Sequence, residues 1–190
     1  MTENPADGVY VRRGFLPPAE LLRMLSAVDR LAPAWAPSQE MRLLGRGHTS
    51  QVRSGDVLAQ GPLDEIRQVL APAVLRWAQT CGFRFPAPPI LQLFPVRMLG
   101  DAAEPAYQEP HTDSYGTHAA PPICSNVFYP KVQGLTGGEL AVASAPGGDL
   151  SEAVELTPRT NTLVSFPGER VHAVRRLLAG ERISIVINLY

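Results

Sequence analysis

The chain closes on Arg182-Ile183-Ser184-Ile185-Val186-Ile187-Asn188-Leu189 before a final tyrosine. In an extended chain, successive side chains point to opposite faces. One face of this stretch therefore carries Ile183, Ile185, Ile187 and Leu189, and the other carries Arg182, Ser184, Val186 and Asn188. A wholly apolar face has to be covered, and helices packed outside a sheet would cover it. The second face turns an arginine inward, which is costly unless an anion meets it. A guanidinium grips a carboxylate through two parallel hydrogen bonds, and the Ser184 hydroxyl could add a third. The constraint is a β-rich fold with helices on the outside and an anion-binding interior.

The rest of the chain fits that frame. Val9–Arg12 reads as a short strand after a polar, frayed start. Pro17 and Pro18 open a helix over residues 18–31, with Leu21, Leu22, Leu25, Val28 and Leu31 at helical spacing. A second helix over 62–81 carries Leu63, Ile66, Leu70, Ala73, Val74 and Trp77, with Pro72 expected to kink it and Gly82 to stop it. Between them, Met41–Leu44 and Thr49–Val52 are candidate strands. From residue 88 the pattern changes to short strands separated by turns: Ile90–Met98, a strand running through Tyr107, Ile123–Tyr129, Glu139–Ser144, Ala153–Thr157, Thr162–Phe166, Val171–Leu177 and Arg182–Leu189. The 19 prolines and 16 glycines of the 190 residues suit the many turns this needs. About eight strands in such a series suggest a double-sheet jelly roll. The expected organisation is one α+β, mainly β, domain over residues 1–190, with helical support in 1–87 and a jelly-roll core in 88–190.

Within the core, Gln108-Glu109-Pro110-His111-Thr112-Asp113 places a histidine and an aspartate two residues apart, just past a strand. Both side chains fall on one side of an extended chain and can converge on one point. They supply two-thirds of a facial 2-His-1-carboxylate iron site. A lone His-x-Asp is a weak signal, and each histidine by itself reads as an ordinary loop or core residue. His172, after the Pro167-Gly168 turn and at the start of a strand, adds a further imidazole. Arg182 and Ser184 follow it.

Taken together, Tyr107, His111-Thr112-Asp113, Val127-Phe128-Tyr129, Gly137-Gly138-Glu139-Leu140, His172 and Arg182-Ile183-Ser184 resemble the Fe(II)/2-oxoglutarate-dependent oxygenases, in particular the prolyl 4-hydroxylase-like branch. The resemblance spans roughly residues 88–189. It implies a double-stranded β-helix, cupin-like, with His111, Asp113 and His172 as metal ligands and catalytic centre. It implies that Arg182 holds the distal carboxylate of 2-oxoglutarate, assisted by Ser184 and Tyr129. The family often has a cosubstrate-binding tyrosine on the strand before the His-x-Asp. Here that strand reads Leu91-Gln92-Leu93-Phe94-Pro95-Val96-Arg97-Met98, without one, so Gln92 or Tyr107 would rebuild that part of the pocket. The implied cofactors are Fe(II), 2-oxoglutarate and O2, with ascorbate as an optional reductant. The implied reaction is hydroxylation of an unactivated C–H bond with release of succinate and CO2. Because Asp113 is present, hydroxylation is favoured over halogenation, whose enzymes replace this acid with a small residue.

Three functions compete. One is a hydroxylase of a small molecule: an amino acid, a peptide or a natural-product intermediate. The second is a protein hydroxylase of the prolyl type acting as an oxygen sensor, with a groove formed by the loops at 45–60 and 114–122. The third is a jelly-roll binding protein that keeps the metal without catalysis. Tyr107 and Tyr115 are substrate-contact candidates, each equally readable as a loop residue; His118, a further candidate, reads as a pocket-rim or surface residue rather than a metal ligand. His48 reads as a surface histidine, Gly137-Gly138 as a tight turn, and Arg175 and Arg176 as a mostly solvated pair. The formal net charge of −1 gives no reason to expect nucleic acid or an anionic membrane as partner. No stretch is long enough to span a bilayer, and no signal-peptide pattern opens the chain, so the expectation is a soluble cytoplasmic protein. Cys81 and Cys124, in apolar surroundings, read as buried thiols rather than a disulfide.

Overall fold

The computed structural model describes residues 2–6, 8–37, 45–52, 57–113 and 120–190. In chain order the elements are β1 (Thr2–Ala6), β2 (Val9–Arg13), α1 (Pro18–Arg30), a 3-10 turn (Ala32–Ala34), β3 (Trp35–Pro37), β4 (Gly45–Arg46), β5 (Thr49–Val52), α2 (Val57–Thr80), β6 (Leu91–Leu99), β7 (Ala106–His111), β8 (Cys124–Gly137), β9 (Leu140–Val142), β10 (Val154–Leu156), β11 (Thr162–Phe166) and β12 (His172–Leu189). Every strand pairing among them is antiparallel.

β12 is shared between two sheets. Its second half lies between β6 and β8, within the order β1-β2-β11-β8-β12-β6-β5-β3. Its first half pairs with β7 on one side and β9 on the other, with β4 and β10 beyond them. This is the double-stranded β-helix. The strand passes between sheets at Gly180, where φ is +91° and an added Cβ would stand 2.4 Å from the carbonyl oxygens of Gln133 and Gly134. Only glycine tolerates both the conformation and the contact.

The two faces of the last strand separate as its alternation requires. Ile183, Ile185, Ile187 and Leu189 pack under the helices with Cys124, Phe128 and Leu163 from the sheet, Met24, Ala27 and Val28 from α1, and Ile66, Leu70 and Val74 from α2. On the interior side, Val186 joins Val96, Met98, Ala106, Val174 and Leu177. A polar chain ties α2 to the sheet through this apolar layer. Trp77 Nε1 donates to Ser165 Oγ (3.1 Å), which donates to Asn126 Oδ1 (2.6 Å), whose amide nitrogen donates to the Ile187 carbonyl (3.0 Å).

Several boundaries move from the sequence expectation for physical reasons. The start of the chain is not frayed: β1 pairs with β2, and the Arg13 guanidinium meets both oxygens of Glu3 at 2.8 and 3.1 Å. The first helix buries Met24, Ala27 and Val28, with Leu31 buried just past its end, while Leu22 is 68% exposed, so its apolar face is rotated from the leucine spacing. The second helix begins at Val57, five residues earlier than Pro62 suggested, and Pro62 and Pro72 both lie inside it. The strand expected to end at Tyr129 runs on to Gly137. Between Phe128 and Lys131 the register against β12 shifts, so Pro130 and its missing N–H fall at a bulge. Val171–Leu177 and Arg182–Leu189 are one strand, not two. Among the described residues, those before 88 contribute five strands as well as two helices, including β3, which no expected element covered. Met41–Leu44 lies outside the described residues. Both cysteines are free thiols, and burial pushes Cys81 up to about 11. No helix among the described residues is long and apolar enough to cross a membrane.

Ile185 is fully buried between sheet and helices. Ile185→Ala should therefore cost about 2–5 kcal/mol, read as a lower urea midpoint at unchanged slope.

Candidate metal and cosubstrate site

β7 ends on His111, and β12 begins on His172, its Cα partner across the ladder. The pairing sets the two imidazoles side by side, with ring centroids 4.2 Å apart. Asp113, two residues past His111 and 3% exposed, brings one carboxylate oxygen to them. Its Oδ1 stands 3.8 Å from His111 Nε2 and 3.6 Å from His172 Nε2. One ligand atom from each of the three residues lies within 4.8 Å of the others, a grouping able to hold one metal ion.

The remaining polar atoms of the triad are occupied in the way metal ligation demands. His111 Nδ1 is 2.7 Å from the Glu109 carbonyl oxygen, and His172 Nδ1 is 3.0 Å from that of Arg170. A carbonyl can only accept, so each Nδ1 carries the proton and each neutral ring offers its Nε2 lone pair to the centre. Asp113 Oδ2 accepts a hydrogen bond from Ser125 Oγ at 2.7 Å, which leaves Oδ1 to face the histidines. Burial and the neighbouring charge of His172 push His111 down to about 4. Burial also opposes charging of His172, but its contact with Asp113 outweighs that and raises it. Burial would raise the Asp113 carboxyl; His172, Ser125 and His111 more than offset this and hold it below its ordinary value.

Arg182 supplies the second half of the site. It is 2% exposed, and its Nη1 donates to the Gly138 carbonyl (3.0 Å) while Nη2 donates to the Tyr129 hydroxyl (3.2 Å). Its Nε has no hydrogen-bond partner, and no carboxylate among the described residues pairs with it. Burial lowers its pKa, but a guanidinium stays charged in proteins. Burial raises the Tyr129 hydroxyl, keeping it a neutral phenol that can accept from Arg182 and donate to an anion. Gly138 approaches because Gly137 and Gly138 have φ of +77° and +78°; a Cβ on Gly137 would stand 2.1 Å from the Arg176 carbonyl oxygen. The glycine pair therefore positions the guanidinium as well as turning the chain. Ser184 is buried on the same face.

Not every expected residue joins. Gln92 lies opposite Asn188, whereas Arg182 lies opposite Met98. Six strand residues separate those positions, about 20 Å, so Gln92 and Arg182 do not share one carboxylate. Its Oε1 instead accepts from the Tyr190 hydroxyl at 3.3 Å. Tyr107 follows the interior residue Ala106 and points the other way, under the Arg176 guanidinium 5.6 Å from its ring centre. Tyr115 and His118 lie outside the described residues. His48 is exposed and 3.4 Å from Asp101, as expected of a loop histidine. Arg175 pairs with Glu155 at 2.8 Å. Sequence reasoning missed Ser125, a strand serine with no motif, and the backbone carbonyls of Glu109, Gly138 and Arg170.

Residues 99–190, which include the triad, Tyr129, Arg182 and Ser184, match the model described as the 2OG-Fe(II) oxygenase superfamily. Over that stretch the chain is similar to that superfamily. No curated protein matches the sequence. Among solved structures, the chain is similar to a prolyl-4-hydroxylase from Pseudomonas putida (20% identity, TM-score 0.63, covering 96% of this chain and 91% of that one). It is also similar to a prolyl hydroxylase from Trichoplax adhaerens, solved with a hypoxia inducible factor oxygen degradation domain peptide fragment (14% identity, TM-score 0.67, 96% and 83%). A third is HygX from Streptomyces hygroscopicus, solved with nickel and 2-oxoglutarate (15% identity, TM-score 0.65, 96% and 82%). At these identities the likeness is one of fold. The matched description names 2-oxoglutarate and Fe(II) as what that superfamily uses.

Ser125→Ala would free Oδ2 and unlock the carboxylate. Loss of such an outer hydrogen bond should weaken metal affinity by about 10–100-fold. Anaerobic titration with Fe(II) measures it, with circular dichroism expected to show an unchanged fold.

Proposed function

We propose that the chain is a dioxygenase that hydroxylates an unactivated C–H bond of a small molecule (an amino acid, a peptide or a natural-product intermediate) and releases succinate and CO2 from 2-oxoglutarate. The observation that carries this is the buried Arg182 guanidinium, held by Tyr129 and Gly138 yet unpaired with any carboxylate of the described residues, inside the same double-stranded β-helix as the His111–Asp113–His172 cluster. A buried charge of this kind is strongly disfavoured without an anion, and a dicarboxylate supplies one.

In this reading His111 Nε2, Asp113 Oδ1 and His172 Nε2 would hold the metal. Iron bound there would supply redox chemistry with O2 and 2-oxoglutarate. The protein's own residues do the rest. Arg182 receives the distal carboxylate, Tyr129 donates to it, and Ser184 can add a further bond. The carbonyls of Glu109 and Arg170 hold the two rings in the ligating tautomer, and Ser125 fixes the carboxylate. The apolar interior formed by Val96, Met98, Val174 and Leu177 limits water near the reacting groups. The donor set of two imidazoles and one carboxylate suits Fe(II). Its carboxylate ligand leaves no position for a halide in its place, which favours hydroxylation. Ascorbate would serve as an optional reductant.

A second reading is a protein hydroxylase of the prolyl type. It is favoured by the fold shared with the Trichoplax enzyme and its peptide fragment. Succinate release measured against panels of free amino acids, short peptides and folded proteins separates the two; turnover with folded proteins alone would contradict the first. His172→Ala should abolish substrate-dependent succinate formation, because two ligands hold iron weakly. Arg182→Ala should chiefly raise the 2-oxoglutarate concentration needed, by about 10-fold or more for a lost charged pair. Unchanged kinetics in either variant would refute the role given to that residue.

A further inference from the structure

Asn188 ends the interior face of β12, and neither end of its side-chain amide has a partner. It is fully buried, and both Nδ2 and Oδ1 are shielded from solvent without a hydrogen bond. Proteins rarely leave both ends of a buried primary amide unmet, because each orphaned group has lost its water for nothing. The residue is not explained by the metal ligands or by the Arg182 pocket. Six residues of extended strand, about 20 Å, separate it from Arg182, with Val186 between them in the apolar interior.

Its surroundings point to the metal end of the barrel. Asn188 lies directly across the ladder from Ser125 on one side and from Gln92 on the other. Directly opposed residues share a face, with Cβ atoms about 5 Å apart. Ser125 is the residue whose hydroxyl holds Asp113 Oδ2. Gln92, Asn188 and Ser125 therefore make a polar row across three strands that ends on the metal-ligand carboxylate. Gln92, half-buried, closes the other end through its bond to Tyr190. An apolar residue at 188 would continue the Val186 interior; the chain instead keeps an amide that offers a donor and an acceptor side by side.

We infer that Asn188 is a specificity-determining residue that receives one extended, amide-flanked residue of the oxidised substrate, its Nδ2 donating to that residue's carbonyl and its Oδ1 accepting from that residue's N–H. This inference rests on the oxygenase reading and deepens it. The N–H and C=O of one extended residue lie on the same side and satisfy both ends at once; a free amino acid would carry two full charges into a buried, uncharged pocket, which is costly. The substrate class is thus a peptide or an N-acylated amino acid amide rather than a free amino acid.

The test is anaerobic calorimetric titration of the protein loaded with iron and 2-oxoglutarate. The probes are a set of N-acetyl amino acid N-methylamides and the matching free amino acids. Wild-type protein should bind at least one amide more tightly than its free amino acid. Asn188→Leu, which keeps the shape and removes both polar ends, should weaken that amide by about five- to tenfold and leave iron and 2-oxoglutarate affinity unchanged. Asn188→Ser keeps the test alive should the leucine variant misfold, and should lie between the two. Equal amide binding by wild type and variants, no amide binding to wild type, or Asn188-dependent binding of free amino acids alone would each overturn the inference. Failure of the wild-type protein to take up iron or 2-oxoglutarate would instead defeat the oxygenase reading, and this inference with it.

Discussion

Two kinds of buried charge have to be held by one strand. β12 begins on His172, passes between the sheets at Gly180 and turns Arg182 into the barrel. The imidazole faces a carboxylate of the same chain; among the described residues, no carboxylate pairs with the guanidinium. Everything else in the fold serves to keep these groups in place without water. The outer face of the strand anchors it through four branched aliphatic residues beneath α1 and α2. The inner face leaves room for polar groups because Val96, Met98 and Ala106 of the neighbouring strands and its own Val174 and Leu177 fill the apolar interior between them. A strand so tightly specified on both sides has little freedom to slip in register, since a one-residue shift would bury the arginine under the helices.

The metal cluster depends on that register as well. His111 and His172 are opposite each other in the ladder, so the distance between their rings is set by backbone pairing rather than by side-chain choice. The carbonyls of Glu109 and Arg170, each two residues before its histidine, fix the tautomers. Ser125 reaches the aspartate from β8, a strand that also carries Tyr129 to the arginine. One strand thus connects the two halves of the proposed site, the triad and the anion pocket. The bulge at Pro130 falls just after Tyr129 and re-aims the strand there.

Much of this was legible in the sequence because it rests on local rules. The alternation of residues 182–189 identified both faces of the last strand, and the two-residue spacing of His111 and Asp113 placed them on one side. Resemblance to a known family joined those fragments to His172 and Tyr129. What stayed hidden depends on register and long-range approach. Ser125 gains its role only from where β8 lies relative to Asp113. Gln92 looked like a cosubstrate contact because its strand precedes the His-x-Asp, yet pairing sets it at the end of β12 away from Arg182. Tyr107 and His111 share a parity, but the ladder shifts register between them, so Ala106 and His111 face inward while the Tyr107 phenol faces out. The expected strand stopped short of Pro130 and the expected helix opened at Pro62, while tertiary context placed these prolines in a bulge and inside a helix.

The most direct test of the account is a crystal structure of the protein grown anaerobically with Fe(II) and 2-oxoglutarate. The account requires one iron bonded to His111 Nε2, Asp113 Oδ1 and His172 Nε2, with the distal carboxylate of 2-oxoglutarate on Arg182 and Tyr129. Iron held by other residues, or a cosubstrate carboxylate that leaves the Arg182 guanidinium untouched, would contradict it.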